Sequence, residues 1–69
     1  MTFEEKAKIR IEHLLKHAKD HLKEYERFAT ELENAGIKDS AQHIREMAVL
    51  TARSAECLDD ALLSLMKTP

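Results

Sequence analysis

A chain of 69 residues holds one domain at most, and at that length a single core supplies about 3–5 kcal/mol, so staples or self-association are expected. Hydrophobic residues make up 43% and charged residues 35%, with one Gly, one Pro, two Phe and one Tyr, a profile of long helices that argues against disorder and against a sheet protein. Eleven basic and thirteen acidic residues, interspersed in sign, leave a net charge of -2, so no nucleic acid and no membrane surface is expected as a partner.

The first element begins at a T-x-x-E capping box, Thr2 to Glu5, in which each side chain satisfies a backbone N–H that the first turn leaves free. Apolar positions then recur as Ile11, Leu14, Ala18, Tyr25, Phe28, Leu32 and Ala35, with His21 interrupting the stripe and Leu15, Leu22 and Ala29 on one flank. Glu4, Lys8, Glu12, Lys16, Asp20 and Glu24 stand four apart on the opposite surface, as a solvated helix face requires. Gly36, the only glycine, follows the last periodic residue, where a left-handed C′ position favours it.

A D-x-x-Q cap at Asp39 and Gln42 is expected to open the second element, whose stripe runs through Ile44, Met47, Ala48, Thr51, Ala55, Leu58, Ala61, Leu62 and Leu65 to a stop at Pro69. The expected domain is therefore a single helical hairpin over 1–69, with helix 1 at about 3–35, the turn at 36–39 and helix 2 at about 40–66. The fold class is all-α, an antiparallel two-helix hairpin. Its stripe is three positions wide where a simple seam needs two. The surplus, Leu15, Leu22, Ala29, Ala48, Ala55 and Leu62, is expected to be covered by a second hairpin, giving a four-helix bundle as a homo-oligomer, dimer or tetramer.

Within EHLLKHAKDHLKEYERFA, His13, His17, His21 and Tyr25 stand four apart. A step of four overshoots one helical turn by about 40°, so the row winds from the outside at His13, through the edge at His17, into the stripe at His21. Antiparallel pairing about the turn sets His21 opposite Ser54 and Ala55 and brings Cys57 to the level of His17. Imidazoles at i and i+4 can chelate one cation. The candidate metal ligands are His17, His21 and Glu24, with Cys57 as a fourth, and the middle of helix 1, near residue 19, would bring His17 and His21 to their copies across a twofold axis. Zn, Ni, Cu and Fe all suit such donors.

Plainer readings stand beside this. His13 and His43 fit solvated surface residues, and His21 fits either a core imidazole bonded to Ser54, Tyr25 or a backbone carbonyl, or a metal ligand. Cys57, Met47 and Met66 fit packing roles, as do Tyr25 and Phe28. Glu24, Glu31 and Glu46 fit solvated charges. No nucleophile elbow, phosphate loop or dinucleotide fingerprint occurs, so no catalytic residue is expected and the chain is read as a non-enzyme. The single Cys57 excludes an intrachain disulfide, the start MTFEEKAKIR lacks a secretion signal, and no run reaches the roughly 20 apolar residues of a membrane span, so a soluble, cytoplasmic chain is expected.

The run His13-x3-His17-x3-His21-x3-Tyr25-x2-Phe28-Ala29, followed by Gly36 and the ending LDDALLSL, resembles a small prokaryotic two-helix family of uncharacterised function over about Ile11 to Leu65. That family repeats H-x3-H-x3-H-x3-Y-x2-W-A, and the resemblance implies metal handling; Phe28 stands where the pattern has Trp, and the His-rich segment seen beside some members is missing. A looser similarity to two-helix encapsulated ferritins implies di-iron chemistry, but no E-x-x-H faces the stripe, and His43-x-x-Glu46 runs the other way. The plasmid-copy-number hairpin that binds RNA shares the architecture, which does not carry function.

The leading expectation is thus a small helical-bundle module holding a transition metal through the helix 1 histidine row near the dimer interface. The alternative is a structural or protein-interaction bundle whose histidines are incidental. RNA binding through Lys16, Lys19, Lys23 and Arg27 is opposed by the acids beside them.

Overall fold

A computed structural model describes residues 1–67, and the expected stop at Pro69 lies outside them. Two helices, α1 (Phe3–Asn34) and α2 (Lys38–Met66), pack against each other as an antiparallel hairpin, with no strand among the described residues. Thr2 caps α1: its Oγ1 accepts from the Glu5 amide at 3.2 Å, and its own amide donates back to Glu5 Oε1 at 3.4 Å. Two of the first turn's orphan donors are satisfied this way.

The turn is a Schellman closure. The Ile37 amide donates to Leu32 O at 2.9 Å and the Gly36 amide to Glu33 O at 2.9 Å, while Gly36 takes φ +80°. Because the chain is already redirected at Ile37, α2 begins at Lys38, two residues before the expected start. Ile37 occupies the N-cap without a side-chain cap bond, and the expected Asp39–Gln42 cap does not form. Asp39 instead lies in the first turn, where a carboxylate still complements the helix dipole.

The seam differs from the stripe read in the sequence. Besides Ala7 and Ala52, the covered positions are Ile11, Leu15, Ala18, Leu22, Tyr25, Ala29 and Leu32 on α1, and Ala41, Ile44, Ala48, Thr51, Ala55, Leu58, Leu62 and Leu65 on α2. Both are unbroken 3-4 repeats, the pattern of a two-stranded antiparallel coiled coil. Leu15, Leu22, Ala29, Ala48, Ala55 and Leu62, expected under a second hairpin, are consumed inside this one. Leu14, His21, Phe28 and Ala35, expected in the stripe, stand outside it.

The side chains that are buried are small: Ala29, Ala41, Ala48 and Ala55, and no large side chain is fully buried among the described residues. Alanine rows let two helices approach closely but remove little apolar area from water. The molecule extends 53 × 17 × 10 Å, a single layer of helices, with a radius of gyration of 15.8 Å. A compact chain of this length has about 11 Å. Its 5531 Å² of accessible surface likewise exceeds the roughly 4,400 Å² expected of a compact monomer of 7.9 kDa.

Candidate functional site

Each helix borders the seam with two rows of side chains, and the rows differ in chemistry. On one side run Leu14, His21, Phe28 and Ala35 from α1 and Ser40, Met47, Ser54 and Ala61 from α2; on the other run Glu12, Lys19, Glu26 and Glu33 against Arg45, Ala52, Asp59 and Met66. In an antiparallel pair like borders like, so one flank of the hairpin carries the charged rows, with Ala52 and Met66 among them, and the other is apolar with histidine and serine. The contacts follow that division. Arg45 Nε reaches Glu33 Oε1 at 2.8 Å across the charged flank, while Leu14, His17, His21 and Tyr25 line one groove with Met47, Leu50, Ser54 and Leu58 on the other.

That groove, about 550 Å³, is shallow and mostly apolar. Phe28 is 48% exposed and Met47 46%, so two residues read as packing in the sequence are open to water, as is Leu50 at 59%. The signal that could have found Met47 is the seven-residue spacing of Ala41, Ala48 and Ala55, which marks the close-approach row of α2 and places Met47 beside it.

The histidine row is continuous. Ring centroids are 4.7 Å apart for His13 and His17 and 6.1 Å for His17 and His21. His21 stacks on Tyr25 at 6.0 Å and 15°. All three imidazoles are exposed, which corrects the placement of His21 in the core: its side chain keeps 52% of its accessible surface. The cause is the shifted seam. With Leu22 inward, the neighbouring residue is turned about 100° away, onto the flank.

Glu24 is the acidic neighbour of the row, its Oε2 3.6 Å from His21 Nδ1. His17 and His21 therefore share one face with Glu24 close by, whereas Cys57 is exposed and is not among the side chains lining the groove. Among the described residues no three His, Cys, Asp or Glu side chains gather closely enough to hold one ion. His17 and Glu24 are seven residues apart, about 10 Å of helical rise, too far to share a cation within one helix. His43 lies apart on α2, beside Glu46 at 3.8 Å.

The basic residues Lys16, Lys19 and Lys23 border a groove together with Glu12 and Asp20, and Lys16 Nζ is paired with Asp20 at 3.4 Å. The acids interrupt any continuous positive surface there. Among the described residues no helix is long and apolar enough to cross a membrane.

No curated protein and no solved structure matches the chain. Residues 7–65, which span most of both helices and the whole histidine row, match the family model described as a domain of unknown function, DUF8180, and the chain belongs to that family.

Proposed function

We propose that this chain is a non-enzymatic assembly module, which pairs with a second copy of itself into a four-helix bundle through the flank that carries Leu14, Phe28, Met47 and Leu50. The supporting observation is the mismatch between what is covered and what is open. The buried residues are four alanines, while those four large apolar side chains stand at 46–59% exposure on one flank. The surface in excess of a compact monomer is on the order of 1,100 Å². A standard interface buries about 800 Å² on each partner, so the excess matches what one pairing would cover. Light scattering tests this directly: twice the 7.9 kDa chain mass is expected, and Phe28→Asp should return the species to the single-chain mass. A cooperatively folded wild-type species of single-chain mass at micromolar concentration overturns the proposal.

A second reading is favoured by the unbroken ring ladder. In it, the bundle holds a transition metal ion (Zn, Ni, Cu or Fe) through His17 and His21, one turn apart, with Glu24 or Cys57 of the second copy completing the donors across the dimer interface. Adding zinc or nickel to chelator-stripped protein then raises the melting temperature by linkage, and His17→Ala with His21→Ala abolishes the rise. An identical midpoint with and without metal removes this reading and leaves the histidines as surface residues of the pairing flank.

A further inference from the structure

The pairing flank is patterned about a single level. On α1, Leu14 and Phe28 lie seven residues either side of His21; on α2, Met47 and Ala61 lie seven either side of Ser54. Seven residues are close to two full turns, so each trio shares one face of its helix. Antiparallel pairing about the turn brings His21 and Ser54 to about the same level, and both line the same groove. Over these two trios the flank therefore reads apolar, polar, apolar, with the bulkier pair, Phe28 and Met47, toward the turn, where Ala35 and Ser40 follow, and the slimmer pair, Leu14 and Ala61, at the open end.

We propose that the second copy seats on this flank about a twofold axis crossing both helices at the level of His21 and Ser54. Each chain's Phe28 then lies on the other's Leu14, each Met47 lies on the other's Ala61, and His21 and Ser54 meet their own copies. This rests on the pairing reading above and adds its register.

Two arguments select this arrangement. Packed interiors need large side chains set against small ones at a constant interhelical distance. The axis across the helices does so at both ends. The other twofold, parallel to the helices, stacks Phe28 on Met47 at one end and Leu14 on Ala61 at the other, which forces the two hairpins to splay. Polarity gives the second argument. A slide of one heptad would press His21 and Ser54 against apolar side chains and leave their polar atoms without partners, whereas the centred register gathers two imidazoles and two hydroxyls that can bond to one another. A single polar layer of this kind sets register in helical bundles.

The register is read by cysteine cross-linking in a Cys57→Ser background, with a mild oxidant and the mass of each untreated variant measured alongside. The substituted positions are exposed in the single hairpin, so its fold should survive. His21→Cys and, separately, Ser54→Cys are expected to give covalent dimers. Leu14→Cys and Phe28→Cys should each stay uncross-linked alone and give a covalent heterodimer when mixed. A doubled mass in which Leu14→Cys or Phe28→Cys links to itself, or in which neither His21→Cys nor Ser54→Cys links, overturns the register while leaving the pairing intact. A single-chain mass for every variant and for the wild type overturns both.

Discussion

Arg45 Nε donates to Glu33 Oε1 at 2.8 Å, tying the second turn of α2 to the last turn of α1 on the flank opposite the histidines. The bond holds the Glu33 carboxyl below its ordinary value of 4.5; burial opposes this, and the charges of Arg45 and Lys38 add to it. Arg45 is correspondingly raised, chiefly by the same bond. A carboxyl with a lowered folded-state pKa contributes stability that is complete above its unfolded value and lost as pH falls through the folded one, so the relevant window lies below 4.5. Both groups are exposed, and water and salt screen the pair, so the effect is small. Glu33→Gln should lower the urea midpoint slightly at pH 7 and converge with wild type in acid, as pH falls through the lowered folded-state value. A gap that persists in acid would show that the contribution is not that of the charged pair.

Gly36 has φ +80°, and a Cβ there would meet no atom within 4 Å. The penalty for a side chain is therefore backbone strain without a clash. Gly36→Ala should cost about 1 kcal/mol, roughly 4–8 °C in melting temperature for a chain of this size. Gly36→Asn should recover part of that loss, because asparagine tolerates the left-handed region better. An alanine variant as stable as wild type would mean that the turn has another conformation open to it.

Removal of the α1 cap should act locally. Thr2→Ala deletes the oxygen that accepts from the Glu5 amide and is expected to cost about 1 kcal/mol of helix stability at that end. Hydrogen exchange at the Glu5 amide should quicken, with little change at the seam, and Thr2→Ser should restore protection. Uniform acceleration along both helices would instead tie the cap to global stability.

The alanine seam sets how closely the helices approach. Ala48 is 7% exposed, and Ala48→Leu adds bulk to the close-approach row of α2, for an expected loss of about 1–3 kcal/mol. Val49→Leu, one residue away on an exposed site, should fall within about 0.5 kcal/mol of wild type. Thermal melts of the two variants separate overpacking from a general intolerance of leucine in α2.

Much of the chain was legible because its signals are local. The Thr2 box, the left-handed glycine and the two long 3-4 repeats each involve contacts within five residues, so the hairpin could be drawn from spacing alone. The Asp39 cap was misread because a competing local device, the Schellman closure ending at Ile37, turns the chain into α2 without an N-cap side chain. His21 was misplaced for a different reason. On α1 the series Ile11, Leu14, Ala18, His21 and the series Ile11, Leu15, Ala18, Leu22 obey the same period, and the polar His21 in the first is offset by Phe28, where the second has only Ala29.

The amino-acid sequence by itself determined two helices, the cap that opens the first, the glycine that closes it, and a row of imidazoles along it, because hydrogen bonding and side-chain period act along the chain. Only the tertiary structure decided which side of α1 turns inward. The small row Ala41, Ala48 and Ala55 admits Leu15 and Leu22 at close range, and that choice rotates His21, Leu14 and Phe28 onto an open flank. Which of two equivalent stripes becomes the seam is settled by the shape of the facing helix, and that information lies on a segment brought near only by folding.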